Sequence, residues 1–121
     1  MAEQLVGDWH YSGTEQGAEV DVWIAFSADK TFDMYQRIGT GAYWHTTGKY
    51  KLNENVLSGV YSDKYPWKYE YSVKLYDATL VLTAEGVENY SVSYKRENIP
   101  AQVREKSLEL TKSSEGFVPF L

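Results

Sequence analysis

The sequence predicts an all-β fold: an eight-stranded antiparallel up-and-down barrel with a C-terminal helix. Three observations favour it. Apolar or aromatic residues alternate with polar ones in nearly every segment up to about residue 96. The 121 residues include 11 Tyr, 4 Trp and 4 Phe, which favour strands. Eight strands are also enough for a meander to close and lose its edges, although a two-sheet sandwich is the main alternative.

The first four strands are predicted at 5–12, 18–26, 31–37 and 42–52. The apolar face of each strand carries, in order, Trp9 and Tyr11, Val22 and Ile24, Phe32 and Met34, and Trp44 and Tyr50. The segment SADKT between the second and third strands is typical of a tight turn. Because the connections are short, strands adjacent in sequence are expected to be neighbours in space.

The other four strands are predicted at 56–62, 65–76, 79–84 and 88–96. Their apolar faces carry Leu57 and Tyr61, Trp67 and Tyr69, Leu80 and Leu82, and Tyr90 and Tyr94. The stretch YPWKYEYSVKLY shows the alternation most clearly, because aromatic side chains occupy one face and charged or small ones the other. Turns are expected at 53–55, 77–78 and 85–87.

Residues 1–97 are therefore expected to form the barrel, and residues 98–121 to pack on it within the same single domain. Asn98 and Pro100 are typical of a helix start and predict a helix over 98–112. Its modest apolar stripe is Val103, Leu108 and Leu110. Candidates for the wall residues that it covers are Val6, Trp23, Val60 and Val81. The final segment GFVPFL is apolar, which predicts packing on the barrel or contact with a partner.

Composition and charge exclude several classes of function. A net charge of −5 and a pI of about 5.0 argue against nucleic-acid binding. The absence of cysteine excludes disulfides and thiolate metal sites. No apolar run approaches the roughly 20 residues of a membrane-spanning helix. We expect an exported protein, in the periplasm or at the cell surface, whose signal has been removed; a cytoplasmic location stays open.

Catalytic chemistry has little support in the sequence. The two histidines, His10 and His45, fall on outward strand faces, so neither is placed as a base beside a nucleophile. The acidic residues lie on outward faces, in turns or in the helix, which leaves no pair of inward carboxylates. We therefore predict no catalytic residue, no metal site and no cofactor; an enzyme acting through tyrosine hydroxyls is a remote alternative.

Short motifs at both ends of the predicted barrel carry a family resemblance. The GDW at 7–9 and the YKR at 94–96 resemble the lipocalin and fatty-acid-binding superfamily, in which a first-strand Gly-x-Trp lies at the closed end and a last-strand arginine packs across the tryptophan. The resemblance thus implies a structural signature of Gly7, Trp9 and Arg96. It also implies that Arg96 stacks on Trp9 and bonds to carbonyl groups.

The spacing of further segments resembles the small bacterial lipocalin-like domains more narrowly. These segments are LVGDW, FSADKTF, GAYWHTTGKYKLNENVLSG, YDATLVL and YSVSYKR, and together they cover about residues 5–96. Lys30 stands where the F-x-x-D-x-T-F hairpin often has glycine. Members of that group are commonly exported, often as lipoproteins, which implies that this chain is a mature part.

The open end of the predicted barrel is the candidate binding site. Strand direction and alternation place aromatic rings and polar groups together there, as in many ligand pockets. The predicted ligand-binding residues are Tyr11, Gln36, Trp44, Tyr61, Trp67, Tyr69 and Tyr90. The polar groups of Gln36 and Thr46 favour a site for a small hydrophobic or amphipathic molecule, because a dry core would have to satisfy them. The competing interpretation is a barrel filled by its own side chains.

An interaction module is the alternative function. In that case a filled barrel would use its outer aromatic face or its tail for protein contacts, including a homodimer. The contact residues would be Trp23, Tyr35, Tyr43, Phe117 and Phe120.

Overall fold

The computed structural model describes residues 2–15, 17–39, 41–109 and 121. Within these residues the chain begins with a short helix and continues through eight strands, a second short helix and a final two-residue strand. The elements are α1 (Ala2–Leu5), β1 (Gly7–Glu15), β2 (Ala18–Phe26), β3 (Thr31–Ile38), β4 (Trp44–Asn53), β5 (Val56–Tyr61), β6 (Tyr71–Tyr76), β7 (Thr79–Ala84), β8 (Ser91–Arg96), α2 (Ala101–Glu105) and β9 (Leu108–Glu109).

Strands β1 to β8 form a closed antiparallel barrel, which confirms the predicted fold class. Each strand pairs with the next, β8 returns to β1 through the pairs Trp9–Arg96 and His10–Lys95, and the sheet has no free edge among β1–β8. The wall is uneven, because β5 and β6 pair only through Val56–Ser72 and Leu57–Tyr71. Beyond these pairs, towards the mouth, residues 62–70 cross this part of the wall.

The inner face forms the main core. Alternation along each strand brings Trp9, Ile24, Phe26 and Phe32 into one buried cluster with Tyr94. Its rings meet edge to face, as in the pair Phe26–Tyr50 at 5.0 Å between centroids.

The outer face carries a second, smaller cluster beneath α2. Trp23 and Tyr35 project outward from β2 and β3 and pack against Ile99 and Val103. Asp8 fixes this segment, because its Oδ2 accepts a hydrogen bond from the main-chain N–H of Ile99 at 3.0 Å. The C-terminal helix therefore lies on the barrel wall. Of the four residues expected beneath it, Trp23 is in this cluster, whereas Val60 remains 42% exposed.

The strand predicted over 65–76 begins only at Tyr71. Lys64 has a positive φ of 74°, and the chain folds back so that the N–H of Tyr61 bonds to the carbonyl of Tyr65 at 2.7 Å. The N–H of Trp67 then bonds to the carbonyl of Gly59 at 2.9 Å. This local pairing with the end of β5 takes the place of a regular strand, so the prediction was wrong for residues 65–70.

Several other boundaries also differ from the prediction. The helix expected over 98–112 is limited to α2, because residues 108–109 pair in parallel with Trp44 and His45 of β4. The strand expected from residue 88 begins at Ser91, after Asn89 adopts a positive φ of 59°. The first strand runs to Glu15, and Leu5 belongs to α1. Leu110, Phe117 and Phe120 lie outside the described residues.

Candidate ligand site in the barrel

The closed end of the barrel is held by Trp9 and Arg96. The Arg96 guanidinium carbon lies 4.2 Å from the centroid of the Trp9 ring. Arg96 also donates to the carbonyls of Val6, at 3.0 Å, and Gln4. The Trp9 indole N–H bonds to the Leu5 carbonyl at 2.8 Å. Gly7 has a φ of 135°, and a Cβ there would lie 2.3 Å from an Arg96 nitrogen, so these three residues lock α1 to the last strand.

The opposite end contains an inward carboxylate, Glu15, that was not among the residues predicted to face inward. Because β1 continues past residue 12, Glu15 shares the inner face with Tyr11 and Gly13. A Cβ at Gly13 would lie 2.4 Å from the Tyr11 hydroxyl oxygen, so glycine lets this ring lie along the strand. The hydroxyl then donates to Glu15 at 3.1 Å. The sequence signal for this inward position was that the alternation of inward residues, Trp9 and Tyr11, continues through Gly13 to Glu15.

Three of the predicted ligand residues rim this end. Tyr11, Tyr69 and Tyr90 are half-buried. The rings of Tyr69 and Tyr90 lie edge to face at 6.0 Å, and Tyr11 makes the same kind of contact with Tyr94. Burial, with the nearby Glu15 carboxylate, raises the pKa of both Tyr11 and Tyr90, so their hydroxyls remain hydrogen-bond donors well above neutral pH.

Gln36 and Trp44 lie side by side. They are directly paired between β3 and β4 and so share the inner face with Thr46. Gln36 and Thr46 are buried, and Trp44 is half-buried at the start of β4. This part of the wall therefore brings an amide, an indole and a hydroxyl to the same inner surface.

Tyr61 and Trp67 lie deeper than the sequence predicted. The ring of Trp67, 5% exposed, contacts Phe32 at 5.3 Å and Tyr71 at 6.0 Å between centroids. Tyr61 contacts the same Phe32 ring at 5.9 Å. The cause is the turn at 62–66, which brings Trp67 back to the level of Gly59 instead of leaving it at the mouth.

Two buried polar atoms inside the barrel have no hydrogen-bond partner among the described residues. They are the hydroxyl oxygen Oγ1 of Thr46 and the indole nitrogen Nε1 of Trp67. Thr46 is 1% exposed. A buried polar group without a partner costs about 1–3 kcal/mol, and the described residues do not offset this cost for either atom.

Tyrosine hydroxyls make the same interior polar without charging it. Burial raises the pKa of Tyr61, Tyr71 and Tyr94 above the ordinary value of 10.0. The Tyr61 hydroxyl donates to the main-chain oxygen of Leu121 at 2.5 Å. The interior thus offers hydroxyl and indole groups within an aromatic and aliphatic lining.

Both histidines lie on the outer face, as predicted, with carboxylates as partners. His10 stacks on Trp23 at 3.7 Å and places its two ring nitrogens 2.5 Å from Asp21 and 3.0 Å from Glu97. His45 lies 2.7 Å from Asp33. Within the described part of the chain, no group of three or more His, Cys, Asp or Glu side chains could hold a metal ion.

An outer cleft offers a concave surface. It has a volume of about 610 Å³ and is lined by Lys30, Lys49, Lys51, Val60, Pro66 and Trp67, among others. It lies against β4 and β5 where residues 62–70 cross the wall. Trp67 forms the boundary between this cleft and the interior.

Comparisons with known proteins agree with the barrel. A family model described as a lipocalin-like domain matches residues 5–82. A solved structure, the NMR structure of a protein from Bacteroides uniformis ATCC 8492, has the same fold, with a TM-score of 0.58 and 19% identity over 82% of this chain and 94% of that one. No curated protein matches the sequence significantly.

Lipocalin-like domains are generally non-enzymatic proteins that bind small molecules. In the described ranges, no helix has the length and apolar character needed to cross a membrane. The family match covers more than half of the sequence, and the closed barrel and the Trp9–Arg96 contact agree with it. The chain belongs to the lipocalin-like domain family.

Proposed function

We propose that this protein binds a small hydrophobic or amphipathic molecule inside the barrel, without catalysing its conversion. Apolar contacts would come from the aromatic rings of Trp44, Trp67, Tyr69 and Tyr90. Orientation would come from polar groups on the inner wall, chiefly Thr46 and Gln36. Small-molecule pockets usually combine an apolar lining with a few polar groups that fix the orientation of the ligand.

The observation that carries the proposal is that Thr46 Oγ1 and Trp67 Nε1 are buried and have no partner among the residues that the structure describes. The indole N–H is only a donor, and the threonine hydroxyl is a donor and an acceptor. A ligand with an acceptor oxygen can satisfy both kinds of group, whereas a purely hydrocarbon ligand cannot. The proposal is therefore an amphipathic molecule that presents an oxygen to the barrel wall.

A protein-contact function has less support. Of its expected contact residues, Trp23 and Tyr35 are only 5% and 4% exposed beneath α2. Tyr43 is half-buried and its hydroxyl donates to Asp21. A partner on this face would first have to displace the helix.

The experiment that tests the proposal is the substitution Thr46→Val. The probe is 1-anilinonaphthalene-8-sulfonate, which has apolar rings and acceptor oxygens, and its affinity is measured by fluorescence titration. Loss of one hydrogen bond of about 1 kcal/mol should weaken binding roughly fivefold. The free energy of unfolding should stay equal or rise, because the substitution removes a buried hydroxyl for which the described part of the chain offers no partner.

Thr47→Val is the matched control, because Thr47 is the neighbouring threonine on the outer face of β4. It should leave probe affinity unchanged. Equal affinity in wild type and Thr46→Val, or absence of probe binding to wild type, would count against a site at this wall.

A further inference from the structure

Leu121 lies inside the same barrel. Its side chain is 2% exposed and belongs to the cluster formed by the inner faces of the strands. It follows β9 by twelve positions in the sequence, and β9 itself pairs with β4 at Trp44. An aliphatic side chain from the far end of the sequence thus occupies interior volume that the eight strands enclose.

The main chain of Leu121 also satisfies a buried donor of the site. The Tyr61 hydroxyl donates to the Leu121 oxygen at 2.5 Å, and Tyr61 is itself buried. Burial raises the pKa of Tyr61, so this hydroxyl is a neutral donor that needs an acceptor. In chemical terms Leu121 presents an aliphatic group beside an acceptor oxygen, which are the two features inferred above for the ligand.

We propose that Leu121 is an internal competitor at the barrel site, and that a bound ligand displaces it from Tyr61. This inference rests on the proposed function. The ligand class is accordingly an aliphatic or aromatic group carrying a carbonyl, carboxylate or similar acceptor oxygen. The ligand can bind only those molecules in which Leu121 has left the site. The apparent affinity for the ligand therefore falls as the fraction of molecules with Leu121 in the site rises.

The test uses the full chain with Leu121→Asp, whose charge is costly to place in an apolar interior. If Leu121 fills the site in nine of ten molecules, its removal should tighten binding of 1-anilinonaphthalene-8-sulfonate about tenfold. Leu121→Ala is a milder second variant, should the first fail to fold, and should tighten binding in the same direction. Tyr76→Asp adds the same charge at an exposed site at the closed end and should leave affinity unchanged.

A direct readout comes from NMR of leucine methyl groups in the wild-type protein. Saturation with the probe should move the Leu121 methyl signals from ring-shifted positions to those of solvated leucine. Equal or weaker probe binding in both Leu121 variants, or unmoved Leu121 signals at saturation, would show that Leu121 does not compete with the ligand. That result would not affect the proposed binding site itself. If neither wild type nor the variants bind the probe, both the competitor and the proposed function fail.

Discussion

The indole of Trp67 lies directly on the backbone of Gly59. A Cβ at Gly59 would come within 2.3 Å of the ring, which is closer than any side chain could tolerate without movement. A Cβ at Gly48 on the adjacent strand would lie 2.0 Å from the carbonyl oxygen of Val60 and 2.7 Å from the Phe32 ring. Two inward glycines on β4 and β5 therefore make the space into which the large rings of the core fit.

Gly59→Ala should displace Trp67 and lower the free energy of unfolding by about 1–3 kcal/mol, the usual cost of overpacking. Urea unfolding followed by tryptophan fluorescence measures both effects. Ser58→Ala, at the adjacent outward position, is the control and should change stability by less than about 0.5 kcal/mol. A Gly59→Ala protein as stable as wild type would mean that Trp67 does not rest there.

Arg96→Lys should lower the free energy of unfolding by about 1–2 kcal/mol, although it keeps the charge. Lysine has no planar guanidinium that could stack on Trp9 while it bonds to the carbonyls of Val6 and Gln4. Chemical denaturation measures the loss, with Lys95→Arg as the control at a neighbouring exposed position. If Arg96→Lys left the free energy of unfolding unchanged, charge alone would be holding α1 in place.

Asp21→Asn should destabilise the outer face by about 1–3 kcal/mol near neutral pH. Burial disfavours the Asp21 carboxylate, but hydrogen bonds from Tyr43 and His10 outweigh it and lower the pKa of Asp21 below its ordinary value of 3.8. A lowered folded-state pKa stabilises the protein above pH 3.8 and loses that contribution as the pH falls through the folded value. The difference between variant and wild type should therefore shrink in acid.

Denaturation of both proteins from about pH 7 down to about pH 3 measures this trend. Glu19→Gln is the matched control, because it removes an exposed carboxylate from the same strand. A difference between Asp21→Asn and wild type that stays constant with pH would contradict the role given to the carboxylate.

Buried tyrosines should make stability fall in alkali. Burial raises the folded-state pKa of Tyr61, Tyr71 and Tyr94, whereas the unfolded chain ionises near 10.0. Their contribution is complete below pH 10 and is lost as the pH rises above it, by about 1.4 kcal/mol per pH unit for each tyrosine. Tyr94→Phe should flatten this slope, and exposed Tyr76→Phe should not. Urea unfolding between about pH 8 and 11 distinguishes the two.

The sequence predicted the barrel well because strand alternation and short turns are local signals. Inner and outer faces were assigned correctly even at Trp67, where no regular strand forms. The errors arose where a tertiary contact overrides the local pattern. Residues 108–109 pair with β4 although they read as helix, and the return turn at 62–66 sets the depth of Trp67.

The candidate site was predictable in its composition but not in its arrangement. The alternation along the strands predicted that the aromatic residues and the polar pair Gln36 and Thr46 face inward. It gave no sign that the Thr46 hydroxyl would lack a partner among the described residues, because hydrogen bonding depends on neighbours from other strands. Burial of Leu121 inside the barrel was equally beyond reach, since an apolar tail has no periodicity that distinguishes an inner from an outer surface.

The most direct test of an interior site is the set of NOEs between 1-anilinonaphthalene-8-sulfonate and protein methyl groups. We expect contacts from the probe rings to the methyls of Thr46 and Met34, which are paired neighbours on the inner wall. Contacts only to Val60, in the outer cleft, or to Val103, beneath α2, would place the probe outside the barrel and exclude the interior site.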